Sequence, residues 1–282
     1  MTELADRFRT LHQPSAPLLM PNPWDAGSAK LLESQGFKAL ATTSSGFAAT
    51  LGRLDGSVTR EEAIAHSATL VDAVSVPISA DLENAFADDP EGVAQTVRLA
   101  VDAGLAGCSV EDYTGRDDDP IYDAALARER IAAAVEAADG EIVLTARCEN
   151  LLHGRPDIGE VIERLQSFQA VGADVLYAPG LRSIDDIRSV VSSLDRPVNV
   201  LALPRGPTVP ELAAAGVSRV SVGGGFAWVA MGASELSGRS MRSVARTRST
   251  ETSRAARAWS ARACSSSRRA SESSSWMETP SR

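Results

Sequence analysis

From residue 18 to 224 one theme recurs along the chain: a short apolar run that ends in polar residues, then a stretch whose apolar side chains return every three or four positions. The runs are LLMPN (18–22), ALATTS (39–44), VPISADLE (76–83), AGCSVED (106–112), EIVLTAR (141–147), DVLYAP (174–179), PVNVLAL (197–203) and RVSVGG (219–224), eight in all. Runs this uniformly apolar predict strands covered on both faces, and therefore parallel. The intervening segments, such as REEAIAHSATLVDAV, DPEGVAQTVRLAVDAG and IGEVIERLQSFQAVGAD, predict amphipathic crossover helices. Eight such units close an α/β barrel, the (β/α)8 or TIM barrel. An open doubly wound sheet is the rival, and the lack of a GxGxxG after the first run speaks against its dinucleotide-binding form.

After about residue 233 the periodicity stops and Ser and Arg dominate, so the chain reads as a barrel over 1–233 and a low-complexity Ser/Arg-rich tail over 234–282. A poorly packed, solvated tail is the expectation; a shifted reading frame and a basic nucleic-acid arm are the other readings of so abrupt a change. The tail carries ten Arg against four Glu, which leaves the body at −15 out of a net −9. An acidic body argues against nucleic acid as the partner. With 44% hydrophobic and 23% charged residues, wholesale disorder is excluded. No apolar stretch reaches membrane length, and MTELADRFRT lacks the apolar core of a signal peptide, so a cytoplasmic protein without membrane contact is expected. Cys108, Cys148 and Cys264 form no CxxC pair, which excludes a zinc ribbon or a disulfide framework.

Barrel chemistry belongs at the C-terminal ends of the strands, so polar residues that end apolar runs carry most weight. Asp81 and Glu83 end the third run, two apart and thus expected on one side; Glu111 ends the fourth, and Asp55 lies in the loop after the second. Clustered carboxylates repel unless a cation neutralises them. An all-oxygen set without His or Cys points to Mg²⁺, or Mn²⁺, as the cofactor. Pairing of the same acids with arginines is the plainer alternative. Arg147 ends the fifth run, where its planar fork suits a substrate carboxylate or, alternatively, an ion pair with Glu111 or Glu149. Ser45, Gly46 and Phe47 follow the second run as a small-residue loop whose amides suit an anionic ligand. Asn150 and His153 trail Arg147 and are candidates for the pocket, whereas His12, His66, Cys108 and Cys148 read as structural.

The motifs NPWDAGSA, TTSSGFAATLGRLDG, SADLENAF, GCSVED and LTARCEN together resemble those of the phosphoenolpyruvate mutase/isocitrate lyase superfamily, over roughly residues 10–233. The resemblance implies an α/β barrel that binds Mg²⁺ through Asp81 directly and through Asp55, Glu83 and Glu111 mostly by way of water. It further implies 2-oxo or 2-hydroxy carboxylate substrates held by the amides of Ser45 to Phe47 and by Arg147, and a homo-oligomer, in the family commonly a tetramer that exchanges its eighth helix. The stretch after the fourth run departs from the family: DYTGRDDDPIYD has no Cys, Lys or His where family lyases carry an acidic Cys and mutases a Lys and an Asn. The sequence is therefore expected to encode a Mg²⁺-dependent carbon–carbon lyase or decarboxylase acting through an enolate, with Glu111 and Arg147 at the reacting centre. Tyr113 and His153 are its candidate proton donors. A phosphonomutase-type enzyme, a methylisocitrate lyase-like enzyme and a non-catalytic ligand-binding barrel are the alternatives.

Overall fold

The strands form where the apolar runs place them: β1 (Leu18–Met20), β2 (Leu40–Ala41), β3 (Ile78–Asp81), β4 (Gly107–Glu111), β5 (Val143–Arg147), β6 (Val175–Tyr177), β7 (Val198–Leu201) and β8 (Arg219–Ser221). The computed structural model of the chain describes residues 3–14 and 16–234. All seven strand pairings are parallel, in the order β1-β8-β7-β6-β5-β4-β3-β2. At the remaining seam, beyond β1, the Ala41 amide donates to the Pro21 carbonyl (3.2 Å) and the Asn22 side-chain amide to the Thr42 carbonyl (2.9 Å). The sheet thus curls into a nearly closed barrel, and the expectation of an open doubly wound sheet falls away.

Helices α1 (Glu3–Thr10), α2 (Ala26–Ser34), α3 (Ser44–Thr50), α4 (Arg60–Ala73), α5 (Pro90–Asp102), α6 (Ala124–Ala138), α7 (Ile158–Ala170), α8 (Ile184–Ser192) and α9 (Val209–Ala214) connect and surround the strands. Local chemistry explains where they begin. In α5 the Asp89 carboxylate accepts from the Gly92 amide and Pro90 opens the first turn, where no amide is missed. Val93, Val97 and Ala100 then recur at helical spacing and are buried, joining the cluster that lies between helices and barrel. Thr59 and Glu62 close a reciprocal capping box on α4, as Asp25 and Ser28 do on α2.

The N-terminal end of the barrel is stoppered by α1. Phe8, fully buried, packs among Leu18, Met20, Ala41, Val143 and Val175, a burial that contributes about 2–3 kcal/mol. Gly107 makes this fit possible: a Cβ there would stand 2.8 Å from Phe8 Cε1 and 2.8 Å from the Val143 carbonyl. Among the described residues no helix is long and apolar enough to cross a membrane. The chain divides into two compact units, 1–228 and 229–282; in the second, residues 229–234 are helical. The expected Ser/Arg-rich tail lies, Ser234 apart, outside the described residues.

Candidate active site

Strand register brings the charged groups together. Glu111 and Arg147 are partners across β4 and β5, and Asp81 pairs with Ser109 one strand further along. Arg147 is the hub: its guanidinium reaches Asp81 Oδ1 at 2.8 Å, Glu111 Oε2 at 2.9 Å and Glu149 Oε1 at 2.9 Å. The alternative reading of Arg147, an ion pair with Glu111 or Glu149, is thus what the fold builds, and Asp81 joins it. Burial works against the Arg147 charge, but Glu111, Glu149 and Asp81 together hold it well above the usual guanidinium range. Glu149 is anchored from behind, its amide donating to Asp112 Oδ1 at 2.7 Å, and Asp112 in turn pairs with Arg164 at 3.3 Å.

One guanidinium does not balance the acids at this mouth. Burial raises Glu111 well above the carboxylate range, only partly countered by Arg147; burial likewise raises Glu149. Glu83 is pushed up to about 7, by burial first and then by Asp81 and Asp55. Asp55 is raised as well, by desolvation first and with Asp81 adding repulsion, although a hydrogen bond from Ser44 opposes the shift. Asp81 also accepts from the Ser44 amide at 3.3 Å and the Ser109 hydroxyl at 3.4 Å. Among the described residues no three acid, His or Cys side chains stand in ligating positions. The chemistry of the set nonetheless fits a hard cation: crowded oxygen donors, partly desolvated, whose proton affinity is raised first by burial and then by mutual repulsion.

Two cavities meet at Arg147. The inner one, ≈ 180 Å³, descends into the barrel and is lined by Ser45, Asp81, Tyr177, Asn199 and Arg219 among others. The outer one, ≈ 510 Å³, opens beside Asp55, Glu83, Glu111, Tyr113, Glu149 and His153. The rings of Tyr113 and His153 stack there with centroids 4.2 Å apart. Burial raises the Tyr113 phenol first, with Asp117 and Glu111 adding to the shift.

Several sequence expectations change. Strand alternation does not place Glu83, because β3 ends at Asp81 and Glu83 takes a left-handed backbone, φ 51°. Ala85 and Phe86 are left-handed too, at φ 60° and 56°, and such non-glycine residues cost about 1–3 kcal/mol each. The buried Arg130 holds this turn by donating to the carbonyls of Asn84 (2.6 Å), Ala87 and Asp88 (2.8 Å). Ser45, Gly46 and Phe47 lie in the first turn of α3 and not in a loop, since Thr43 caps that helix. Only Ser45 of the three lines the inner cavity. The Gly46 and Phe47 amides turn back to Thr43, at 3.4 Å to Oγ1 and 3.0 Å to the carbonyl. Phe47 stacks on His66 at 3.8 Å, and a Cβ on Gly46 would stand 2.6 Å from Thr43 Cγ2, so both serve packing. Asn150 lines neither cavity; it is 1% exposed and its amide nitrogen reaches Glu160 Oε2 at 3.4 Å, drawn to the first turn of α7. Sequence reasoning missed Arg219, Asn199 and Tyr177 as pocket residues. The available signal was polar side chains inside otherwise apolar strands.

The family model for phosphoenolpyruvate phosphomutase matches residues 8–242 of the chain. A crystal structure of a lyase/mutase candidate from Burkholderia cenocepacia J2315 is 50% identical, with a TM-score of 0.82 over 85% of this chain and 87% of that one. An uncharacterized protein of Mycobacterium tuberculosis is 32% identical over 218 residues, 77% of this chain and 81% of its own length. The crystal structure of 2,3-dimethylmalate lyase is 26% identical, with a TM-score of 0.78 over 86% and 88% of the two chains.

Proposed function

We infer the function from one premise: the chain belongs to the phosphoenolpyruvate mutase/isocitrate lyase superfamily, whose lyases and mutases act on carboxylates. The reading is a carbon–carbon lyase or decarboxylase, dependent on Mg²⁺ or Mn²⁺, that takes a small 2-oxo or 2-hydroxy dicarboxylate through an enolate. The observation that carries it is the crowd of carboxylates, Asp55, Asp81, Glu83, Glu111 and Glu149, around the single guanidinium of Arg147. Asp81, Glu83, Glu111 and Asp55 would hold the cation. When bound, it supplies Lewis acidity that stabilises negative charge growing on a substrate oxygen.

The chain's own residues do the rest. Arg147 is held in one orientation by Glu149 on its Nε side, and its terminal nitrogens rest on Asp81 and Glu111; a substrate carboxylate would take up that fork in exchange for these two acids, which would then be free to hold the cation. Ser45 adds a hydroxyl on the same wall. Leu152 lines both cavities and gives them a shared apolar wall. Tyr113, whose phenol burial shifts upward and so keeps protonated, delivers the proton that returns to carbon as the enolate collapses, with His153 stacked on it as the other candidate donor. Decarboxylation asks less of a protein acid than aldol-type cleavage does. The segment DYTGRDDDPIYD offers no Cys, Lys or His, which favours decarboxylation. The 2,3-dimethylmalate lyase neighbour supports the substrate class, its named substrate being a hydroxy dicarboxylate. Assembly into a homo-oligomer belongs to the same proposal, with light scattering as its measurement.

The test uses the full chain with oxaloacetate and Mg²⁺ and follows pyruvate. Asp81→Ala is expected to lower the rate about a hundredfold or more, the scale of losing one preorganised electrostatic group. Equal rates for variant and wild type reject the assignment.

A further inference from the structure

At the floor of the inner cavity lies a cation that no acid among the described residues balances. Arg219 opens β8, faces the barrel axis and is 3% exposed. Its Nε donates to Asn199 Oδ1 at 3.0 Å, one terminal nitrogen donates to Thr145 Oγ1 at 3.1 Å, and the other stands 3.4 Å from His12 Nε2. All three partners are neutral. The Nδ1 of His12 lies 2.9 Å from the Phe8 carbonyl, so the tautomer protonated at Nδ1 leaves Nε2 free to accept. Burial, and then Arg219 itself, hold His12 down at about 3, so it carries no charge near neutrality. Besides His12, the ionisable groups whose charges bear on Arg219 are Tyr177 and Arg147, and among the described residues no carboxylate pairs with it.

A buried ion without a counter-ion is costly unless something else supplies the opposite charge. Arg219 is almost wholly buried, and it meets open space at the cavity wall it shares with Asn199, Ser221 and Arg147. Asn199 is locked for this purpose: its amide nitrogen donates to Ser221 Oγ at 3.0 Å, which leaves Oδ1 pointing at Arg219. Along the barrel axis the charge therefore reverses, from carboxylates at the mouth to a lone guanidinium below.

We infer that Arg219 is a specificity-determining residue that receives a second acidic group of the substrate at the pocket floor, so that the site selects dicarboxylates over monocarboxylates. The inference rests on the carboxylate-substrate reading above and deepens it. Arg219 acts on the group remote from the reacting bond, and its mark is discrimination between ligands.

Two unreactive probes that differ by one carboxylate, tartronate and glycolate, test this by calorimetric titration of the full chain in Mg²⁺ buffer. The wild type is expected to bind tartronate about tenfold or more tighter than glycolate, the scale of one hydrogen-bonded ion pair. Arg219→Met should bring tartronate to about the glycolate level and leave glycolate itself unchanged; Arg219→Lys should keep part of the preference, and thermal melts of both variants report their folding. The inference is overturned if the wild type shows no preference, if Arg219→Met retains it, or if both probes weaken alike, the signature of a purely structural role. The oxaloacetate assay separates this outcome from the lyase reading. Discrimination through Arg219 without pyruvate formation sustains the floor site and removes the lyase, whereas pyruvate formation with an Arg219-independent preference does the reverse.

Discussion

Replacing Arg147 by Met removes the guanidinium that three carboxylates share at 2.8–2.9 Å. Removing one partner of a buried pair destabilises by about 3–5 kcal/mol, because the other charge stays behind in a low dielectric. Glu111 and Glu149, 8% and 3% exposed, both suffer this. Asp81 keeps the Ser44 amide and the Ser109 hydroxyl and so loses less. Uptake of protons by the stranded acids returns part of the loss, which places the expected change near 4 kcal/mol. At roughly 2–4 °C per kcal/mol for a body of this size, the Tm should fall by about 8–16 °C in calorimetry, with a matching loss in urea titrations. Arg147→Lys should recover only a fraction, since one ammonium does not fork to three acids. Mg²⁺ should raise the Tm of Arg147→Met more than that of the wild type, because the carboxylates are then free for the cation. A loss below about 1 kcal/mol for Arg147→Met refutes the claim that this arginine neutralises the mouth.

Three further outcomes are expected. At about 100 times its Kd, Mg²⁺ should stabilise the wild type by about 2.7 kcal/mol over an EDTA control, seen as a Tm rise of roughly 5–10 °C, and Asp81→Ala should abolish the rise. His12 titrates at about 3 in the fold against about 6.5 when unfolded, so its contribution is complete above pH 6.5 and shrinks as the pH falls toward 3, where the unfolded chain takes up the proton first. Urea titrations at pH 7 and pH 5 should differ by about 2 kcal/mol more for the wild type than for His12→Gln, and identical differences dismiss the role of burial there. Gly107→Ala should cost about 1–3 kcal/mol by chemical denaturation, since its methyl meets Phe8 and the Val143 carbonyl at 2.8 Å; Phe8→Ala in the same chain should relieve part of the clash.

How much of this was legible in the sequence differs between backbone and charge. Each of the eight apolar runs contains its strand, because burial on both faces leaves an unmistakable composition; EIVLTAR holds Val143–Arg147 and PVNVLAL holds Val198–Leu201. The mouth acids were legible for the same reason, as polar residues that end strands. The partners of those acids were not, since an ion pair such as Asp81–Arg147 spans 66 positions and leaves no local periodicity. Gly46 and Phe47 misled because a small-residue stretch reads alike in a ligand loop and in the first turn of a short helix such as α3. Glu83 misled because strand alternation holds only within the ladder, and the left-handed turn begins two residues after Asp81. Arg219 opens the eighth run with no local sign of its partners, and only closure of the barrel sets it opposite Thr145 and beside His12.

That last neighbourhood ties the two ends of the barrel's construction together. His12 and Arg219 are 207 positions apart, so a residue that follows α1 provides the seat for a side chain on β8. Above the stopper formed by α1, the wall of the inner chamber carries Asp81 and Arg147, and β8 adds the guanidinium at its floor. The discrimination proposed for Arg219 therefore depends on the two ends of the barrel meeting, since a change in the seat after α1 would reach the ligand through β8.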